Sequence, residues 1–328
     1  MHFIQSLLAM LCWSGSDIFS KVGTRNEDKR SQWKVGACVG GVMGIHAIFM
    51  VLSGTPFQLS DILIYLPASL LYIASMLIGY MGLRYIELSI SSPICNGSGA
   101  VALILSLLVF GVNWNGALGE DSSAVFLNLP ILIGVIAIVI GVMSLGVIEY
   151  KEDDEARLAR QMTANRKYAK SLFAILLPVL YCCLDAVGTF VDTLIADKYL
   201  VTLAERFPDL DEGALDLLCG DILNTAYEFT WLAMAVGCII YLLIKREKVD
   251  AKYDLPKLAG GICETVGQVF YMMVVVSEYT VGLVIISAYC ALSLVWGRLF
   301  LKEKLSLKHY AAIATAFVGI MILGIYDV

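Results

Sequence analysis

Apolar positions in this 328-residue chain come in continuous runs rather than in the strict alternation of half-buried strands. A bilayer crossing needs about 20 predominantly apolar residues, and ten stretches meet that requirement: roughly 3–20, 35–53, 64–83, 90–112, 127–148, 171–195, 222–244, 258–277, 281–301 and 307–325. Continuous runs predict helices and not a barrel, because lipid requires each segment to satisfy its own backbone polar groups. The first run has no basic region before it and no small-residue cleavage site after it, so it reads as the first span rather than a signal peptide.

The polar positions between the runs set the orientation. Of the 23 Lys and Arg residues, 21 fall in or at the edges of the connections after spans 1, 3, 5, 7 and 9; only Lys198 and Arg206 lie elsewhere. Cytoplasmic loops carry the basic excess, so the odd connections read as cytoplasmic and both termini as outside.

The pattern also repeats. At an offset of 191, Glu87 meets Glu278, Ile94 meets Ile285, Ala100 meets Ala291, Leu103 meets Leu294 and Leu108 meets Leu299, with Tyr80 on Tyr271 just before them. Asp17 aligns with Asp185 at an offset of 168, so the second copy needs an insertion of 23 residues. Asp197 to Asp221, with seven acids against two bases, is the expected site: an outward-facing loop, with a plausible helix start at Asp209-Leu-Asp-Glu. Equivalent loops of the two halves differ in charge and so lie on opposite membrane faces. The expectation is an all-α membrane protein of ten transmembrane helices in two inverted five-helix repeats, 1–149 and 171–328, joined by a charged cytoplasmic linker at 150–170.

Composition agrees, with 59% hydrophobic residues, 16% charged residues and a mean hydropathy of +0.79. The nine cysteines sit almost entirely within apolar runs without CxxC or Cys/His metal spacing, and read as packing residues. There is no GxxxxGK[ST] loop, no HExxH and no GxSxG, which leaves ATP-driven transport within this chain and familiar hydrolysis without support. No metal or cofactor is expected.

Ionisable groups within a span are costly, at roughly 2.5–3.5 kcal/mol for Asp at a helix centre, so each needs a reason. Asp17 and Asp185 each lie about 21 Å along their helices from opposite faces, which suits two gates or a cationic substrate; Asp17 could instead simply pair with Lys21 one turn on. Glu264 shares a helix face with Gln268, near Tyr271, and could exchange a proton in a proton-coupled carrier or simply bond a neighbouring helix. Glu228 and Asp192 read as outer-interface groups, hydrated or capping. His46, mid-span, could relay protons or pack. Asn96, in Pro93-Ile-Cys-Asn-Gly-Ser-Gly, loosens span 4, as site-lining discontinuous helices do, unless the small residues serve packing. Trp13, Tyr80, Tyr271 and Tyr289 could stack on a substrate or anchor at the interface. Gly36, Gly40 and Gly44 form a helix-packing face. Arg84 and Arg298 read as snorkelling, and Glu87 and Glu278 as loop residues at the two mouths.

Trp13-Ser-Gly-Ser in span 1, Gly79-Tyr-Met-Gly-Leu-Arg-Tyr-Ile closing span 3, the Leu301-Lys-Glu-Lys-Leu turn and the small-residue helix ending Gly319-Ile-Met-Ile-Leu-Gly, in that order, resemble the drug/metabolite transporter superfamily, in particular its ten-helix EamA-like members. The resemblance covers essentially the whole chain. It implies a basket of ten helices around a central substrate cavity bordered by spans 1, 3, 4, 6, 8 and 9, with spans 5 and 10 peripheral. The first half departs from the family pattern, with Gly111-Val-Asn-Trp-Asn in place of a charged turn after span 4 and no bases after span 2. Family members are often assigned cytoplasmic termini; the charges here place them outside.

The expected function is a secondary active transporter of the cytoplasmic membrane, moving a small organic metabolite such as an amino acid or amine by alternating access, with proton coupling as a hypothesis. The alternatives are a membrane-embedded enzyme using its buried carboxylates and a non-transporting scaffold. Expected partners are the bilayer, the small-molecule substrate and protons, with no nucleic acid; monomer and homodimer are both open.

Overall fold

A computed structural model describes residues 2–24, 28–114, 125–152, 172–276, 285–286 and 288–326. Among these residues are eleven helices: α1 (His2–Gly23), α2 (Ser31–Leu52), α3 (Leu59–Gly82), α4 (Leu88–Cys95), α5 (Ser98–Phe110), α6 (Leu129–Lys151), α7 (Leu172–Arg206), α8 (Glu212–Ile244), α9 (Ala251–Val276), α10 (Tyr289–Phe300) and α11 (Leu307–Tyr326). Val112–Trp114 pairs in parallel with Val125–Leu127 as a small two-stranded ribbon. The expected linker at 150–170 lies almost wholly outside the described residues, as does Glu278.

Seven segments are long and apolar enough to cross a membrane: α2, α3, the α4–α5 pair, α6, α7, α8 and α11. Their outward faces carry Leu52, Leu63, Leu108, Met143 and Leu243, each at least 66% exposed, while serines such as Ser14, Ser69, Ser75 and Ser293 are buried. That is the distribution of a multi-pass membrane protein, apolar toward lipid and polar within. Three expected spans are not among the seven. α1 and α9 are long enough but spend positions on serines, glutamine and acids that face inward, and α10 has only 12 residues.

Local chemistry explains several helix starts. The Asn128 side chain accepts from the Ile131 N–H at 2.9 Å to cap α6, and Asp211 accepts from Ala214 N–H at 2.8 Å to cap α8. Gln58 and Asp61 form a reciprocal capping box on α3. Span 4 breaks at Asn96-Gly97, where the sequence predicts a weak point.

The stretch Asp197 to Asp221 corrects the expectation of an outer loop. α7 continues to Arg206 and α8 begins at Glu212, leaving only 207–211 as a connection. The acids mask a helical apolar stripe: Tyr199, Leu203, Cys219 and Ile222 are buried against Tyr65 and Ala68 of α3, with Phe207 and Leu215 packed on them.

The helices pair across the two halves. α1 lies along α9, α3 along α7, α2 along α8, α4 against α10 and α6 along α11. The connections after α1, α3, α8 and α10 meet at one end: Arg30 pairs with Glu247, Lys257 bonds Asp28, Lys21 bonds the Leu83 and Ile86 carbonyls, and Glu303 bonds Leu88 and Ser89. Arg206, after α7, bonds the Pro56 carbonyl at the opposite end.

The α2–α8 seam is where the glycines are needed. A Cβ on Gly40 would stand 2.3 Å from the Trp231 carbonyl oxygen, and one on Gly44 2.5 Å from Leu232. Gly41, one residue on, has nothing within 4 Å. Gly40→Ala is therefore expected to cost about 1–3 kcal/mol by overpacking, read as a lowered melting temperature in detergent. Gly41→Ala, with the same gain in helix propensity, is expected to be neutral or stabilising.

Candidate functional site

The polar side chains buried by this packing surround a cavity of about 620 Å³, within the roughly 300–1,000 Å³ usual for small-molecule sites. It is lined from α1, α3, α4, α5, α7, α8, α9 and α10. One end reaches Asp216, which is exposed, together with Leu200 and Ala196; the other ends on Ser20, Leu83 and Leu88, all buried. The cavity thus has a mouth beside the 207–211 turn and a floor at the opposite end.

Four of its carboxylates are held by neutral hydroxyls. Asp17 accepts from Ser92 of α4 at 2.8 Å and from Ser293 of α10 at 2.7 Å. Asp185 of α7 accepts from Ser75 of α3 at 3.3 Å and from Ser98 at the start of α5. Glu264 of α9 accepts from Ser16 of α1. Asp192 accepts from Tyr65 at 2.7 Å and Tyr72 at 3.4 Å. Among the described residues no Lys, Arg or His makes an ion pair with any of the four, and none lines the cavity.

The aromatic groups gather beside them. Trp13 packs on Tyr271 with ring centroids 5.1 Å apart and on Tyr289 at 5.7 Å, edge to face. Gly267 makes this possible, since a Cβ there would stand 2.5 Å from the Trp13 ring. Tyr80 also lines the wall, with its hydroxyl buried and without a hydrogen-bond partner among the described residues.

Asp17, Asp185, Glu264 and Gln268 therefore share one cavity with Asn96, Trp13, Tyr80, Tyr271 and Tyr289. His46 does not line it. Its Nδ1 lies 2.7 Å from Glu228, whose carboxylate accepts from Asn224 at 3.2 Å; the Asn224 carbonyl in turn accepts from Gln268 at 3.2 Å. Asn224 and Gln268 both line the cavity, so His46 connects to it through two intervening side chains.

Several expectations are corrected. Asp17 takes its hydrogen bonds from two serines of neighbouring helices, and the Lys21 ammonium goes to the Leu83 and Ile86 carbonyls. Glu228 is fully buried instead of hydrated at the outer interface, and Asp192 is a cavity residue bonded to two tyrosines. Glu87 is buried at the start of α4, and Arg84 is buried with its guanidinium 4.9 Å over the Tyr85 ring. Tyr65, Tyr72 and the serines escaped the sequence reading because hydroxyls inside apolar runs carry no spacing signal.

Compared with protein-family models and with curated protein sequences, the chain matches none. The residues of the cavity must carry the functional argument themselves.

The floor is sealed by charges turned onto backbone. Lys21, fully buried, donates to the Leu83 and Ile86 carbonyls of the turn between α3 and α4. Glu303, 3% exposed, accepts from the Leu88 and Ser89 N–H groups and from the Ser89 hydroxyl at 2.6 Å, capping α4 where its dipole favours an anion. Behind them Lys257 donates to Asp254 at 2.8 Å and Asp28 at 3.3 Å, with Lys34 3.5 Å from Asp28. Burial alone pushes the Asp28 carboxyl up, but the Lys257 ammonium, the Arg30 backbone N–H and Lys34 outweigh it and hold it below its ordinary value of 3.8.

A carboxyl depressed in the folded state stabilises above its unfolded value and loses that contribution as pH falls through the folded one. Asp28→Asn is therefore expected to lower the melting temperature at pH 7, and the gap from the wild type should close as the pH drops below about 4. An equal gap at pH 7 and pH 3 would contradict an ionic role.

Proposed function

We propose that the protein is a secondary active transporter of the cytoplasmic membrane, moving a small organic solute by alternating access between two inverted five-helix halves. The observation that carries this reading is a polar cavity of metabolite size inside a membrane-embedded helix bundle, open at one end and sealed at the other. Counted as ten spans, with α4 and α5 as one, the helix pairing is unchanged when each span is exchanged for the one five places on. The α1–α9 pair exchanges with α7–α3, while α2–α8, α4–α10 and α6–α11 map onto themselves. Asp17 and Asp185 lie on spans that exchange with each other, and so do Ser293, which serves Asp17 from α10, and Ser98, which serves Asp185 from α5. This supports a pseudo-two-fold axis in the membrane plane, the architecture in which one rearrangement closes the mouth as it opens the floor. The drug/metabolite transporter resemblance supports the same reading.

The basic connections support a cytoplasmic floor and an outward mouth. Lys21 and Glu303 then act as the inner gate, and proton exchange at Asp185 and Glu264 couples the cycle.

Alternating access is testable without a known solute. In a background free of native cysteines, Asn96→Cys at the cavity centre is expected to react with a membrane-impermeant thiol reagent in both right-side-out and inverted vesicles. Reaction from one side only would remove the carrier reading. Proton coupling predicts a luminal pH change, read by a trapped pH dye, when solute is added to proteoliposomes, abolished in Asp185→Asn and Glu264→Gln.

A further inference from the structure

Resting on the transporter reading, we infer that the solute is an organic ammonium ion without a free carboxylate, an amine rather than an amino acid. Charge is the first ground. Asp17, Asp185, Asp192 and Glu264 face one cavity whose described lining holds no Lys, Arg or His, and their hydrogen bonds come from serine and tyrosine hydroxyls. Hydroxyls orient a carboxylate but bring no compensating charge, and an unmatched carboxylate in an apolar wall is costly. A cation or a proton is what the cavity lacks, and the two would compete for it.

The second ground is the wall between the acids. Trp13, Tyr271 and Tyr289 form an aromatic cluster beside Asp17 and Glu264, and ring faces attract ammonium groups within about 6 Å. Tyr80 supplies the observation that points to an absent ligand. It is 8% exposed, it lines the cavity, and its hydroxyl has no partner among the described residues. A buried phenol of this kind awaits a polar group, and an ammonium N–H can donate to it.

The third ground excludes a carboxylate on the ligand. Transporters commonly hold a substrate carboxylate at the N-terminus of a broken helix, and three described helices begin on the cavity wall: α4 at Leu88, α5 at Ser98 and α10 at Tyr289. Each is already served by an acid of the protein: Glu303 accepts from the Leu88 N–H, Asp185 from the Ser98 hydroxyl and Asp17 from the Ser293 hydroxyl early in α10. A ligand carboxylate at any of them would face an anion. A bare metal ion is also a poor fit, because the described residues contain no cluster of three or more His, Cys, Asp or Glu able to hold one.

The test pairs amines with their carboxylated counterparts on the purified full-length protein: phenethylamine against phenylalanine, agmatine against arginine, choline against betaine, with 2-phenylethanol as a neutral control. Binding is read by calorimetry and by thermal shift. At least one amine is expected to bind about tenfold or more tightly than its counterpart, with that preference lost in Asp185→Asn and Glu264→Gln. Unliganded melting curves establish that the variants fold, and the wild-type comparison stands without them. Equal or tighter binding of the carboxylated members, or no binding by any amine, overturns the inference. Counterflow in proteoliposomes separates it from the transporter reading. An amine that binds but never exchanges across the bilayer leaves the ligand class intact and removes transport; exchange of an amino acid without any amine removes the class and leaves transport.

Discussion

A polar group inside a bilayer must find its partner within the protein, and this one requirement orders the whole molecule. The apolar faces of the helices need no further arrangement, since lipid covers them. The serines, tyrosines and acids of α1, α3, α4, α7, α9 and α10 must be turned inward and matched to one another. Their convergence surrounds a cavity, which residues of α5 and α8 complete. At the floor the same requirement takes a different form. Charged ends are matched to backbone groups that no helix satisfies, Lys21 to carbonyls of the α3–α4 turn and Glu303 to the N–H groups starting α4.

Both floor contacts join segments that a change of state would have to separate, α1 from the α3–α4 turn and the α10–α11 turn from α4. In the proposed cycle, contacts of this sort would be exchanged for water, because ammonium, carboxylate and peptide groups are all well hydrated. The α2–α8 and α6–α11 seams are unlike this. They rest on glycines against backbone, as where Gly319 meets Gly134, and have no hydrated alternative. The molecule thus divides into fixed seams at its sides and separable polar contacts at its ends.

Much of this was legible in the sequence. The apolar runs located α1, α2, α6 and α11 to within a few residues, the Asn96-Gly97 break was visible as a local weakness, and Asp17, Asp185 and Glu264 stood out because acids are rare inside apolar runs. Three things were not legible. α7 and α8 extend well past their apolar segments, since the acids between Asp197 and Asp221 obscure a helical stripe that only packing on α3 reveals. Glu228 was misplaced because its burial depends on His46, 182 residues away in sequence. Glu303 sits in the Leu301-Lys-Glu-Lys-Leu turn, and nothing local in the sequence shows that its carboxylate caps α4.

The central claim is that mouth and floor open in alternation. Spin labels at Phe3 and Asp209 would report the mouth, and labels at Lys248 and Lys302 the floor, with distances measured by electron double resonance in nanodiscs. The account predicts two distance populations at each end, the longer one at the floor growing as the longer one at the mouth shrinks when pH or a bound amine is changed. A single fixed distance at both ends, or both ends widening together, would contradict it.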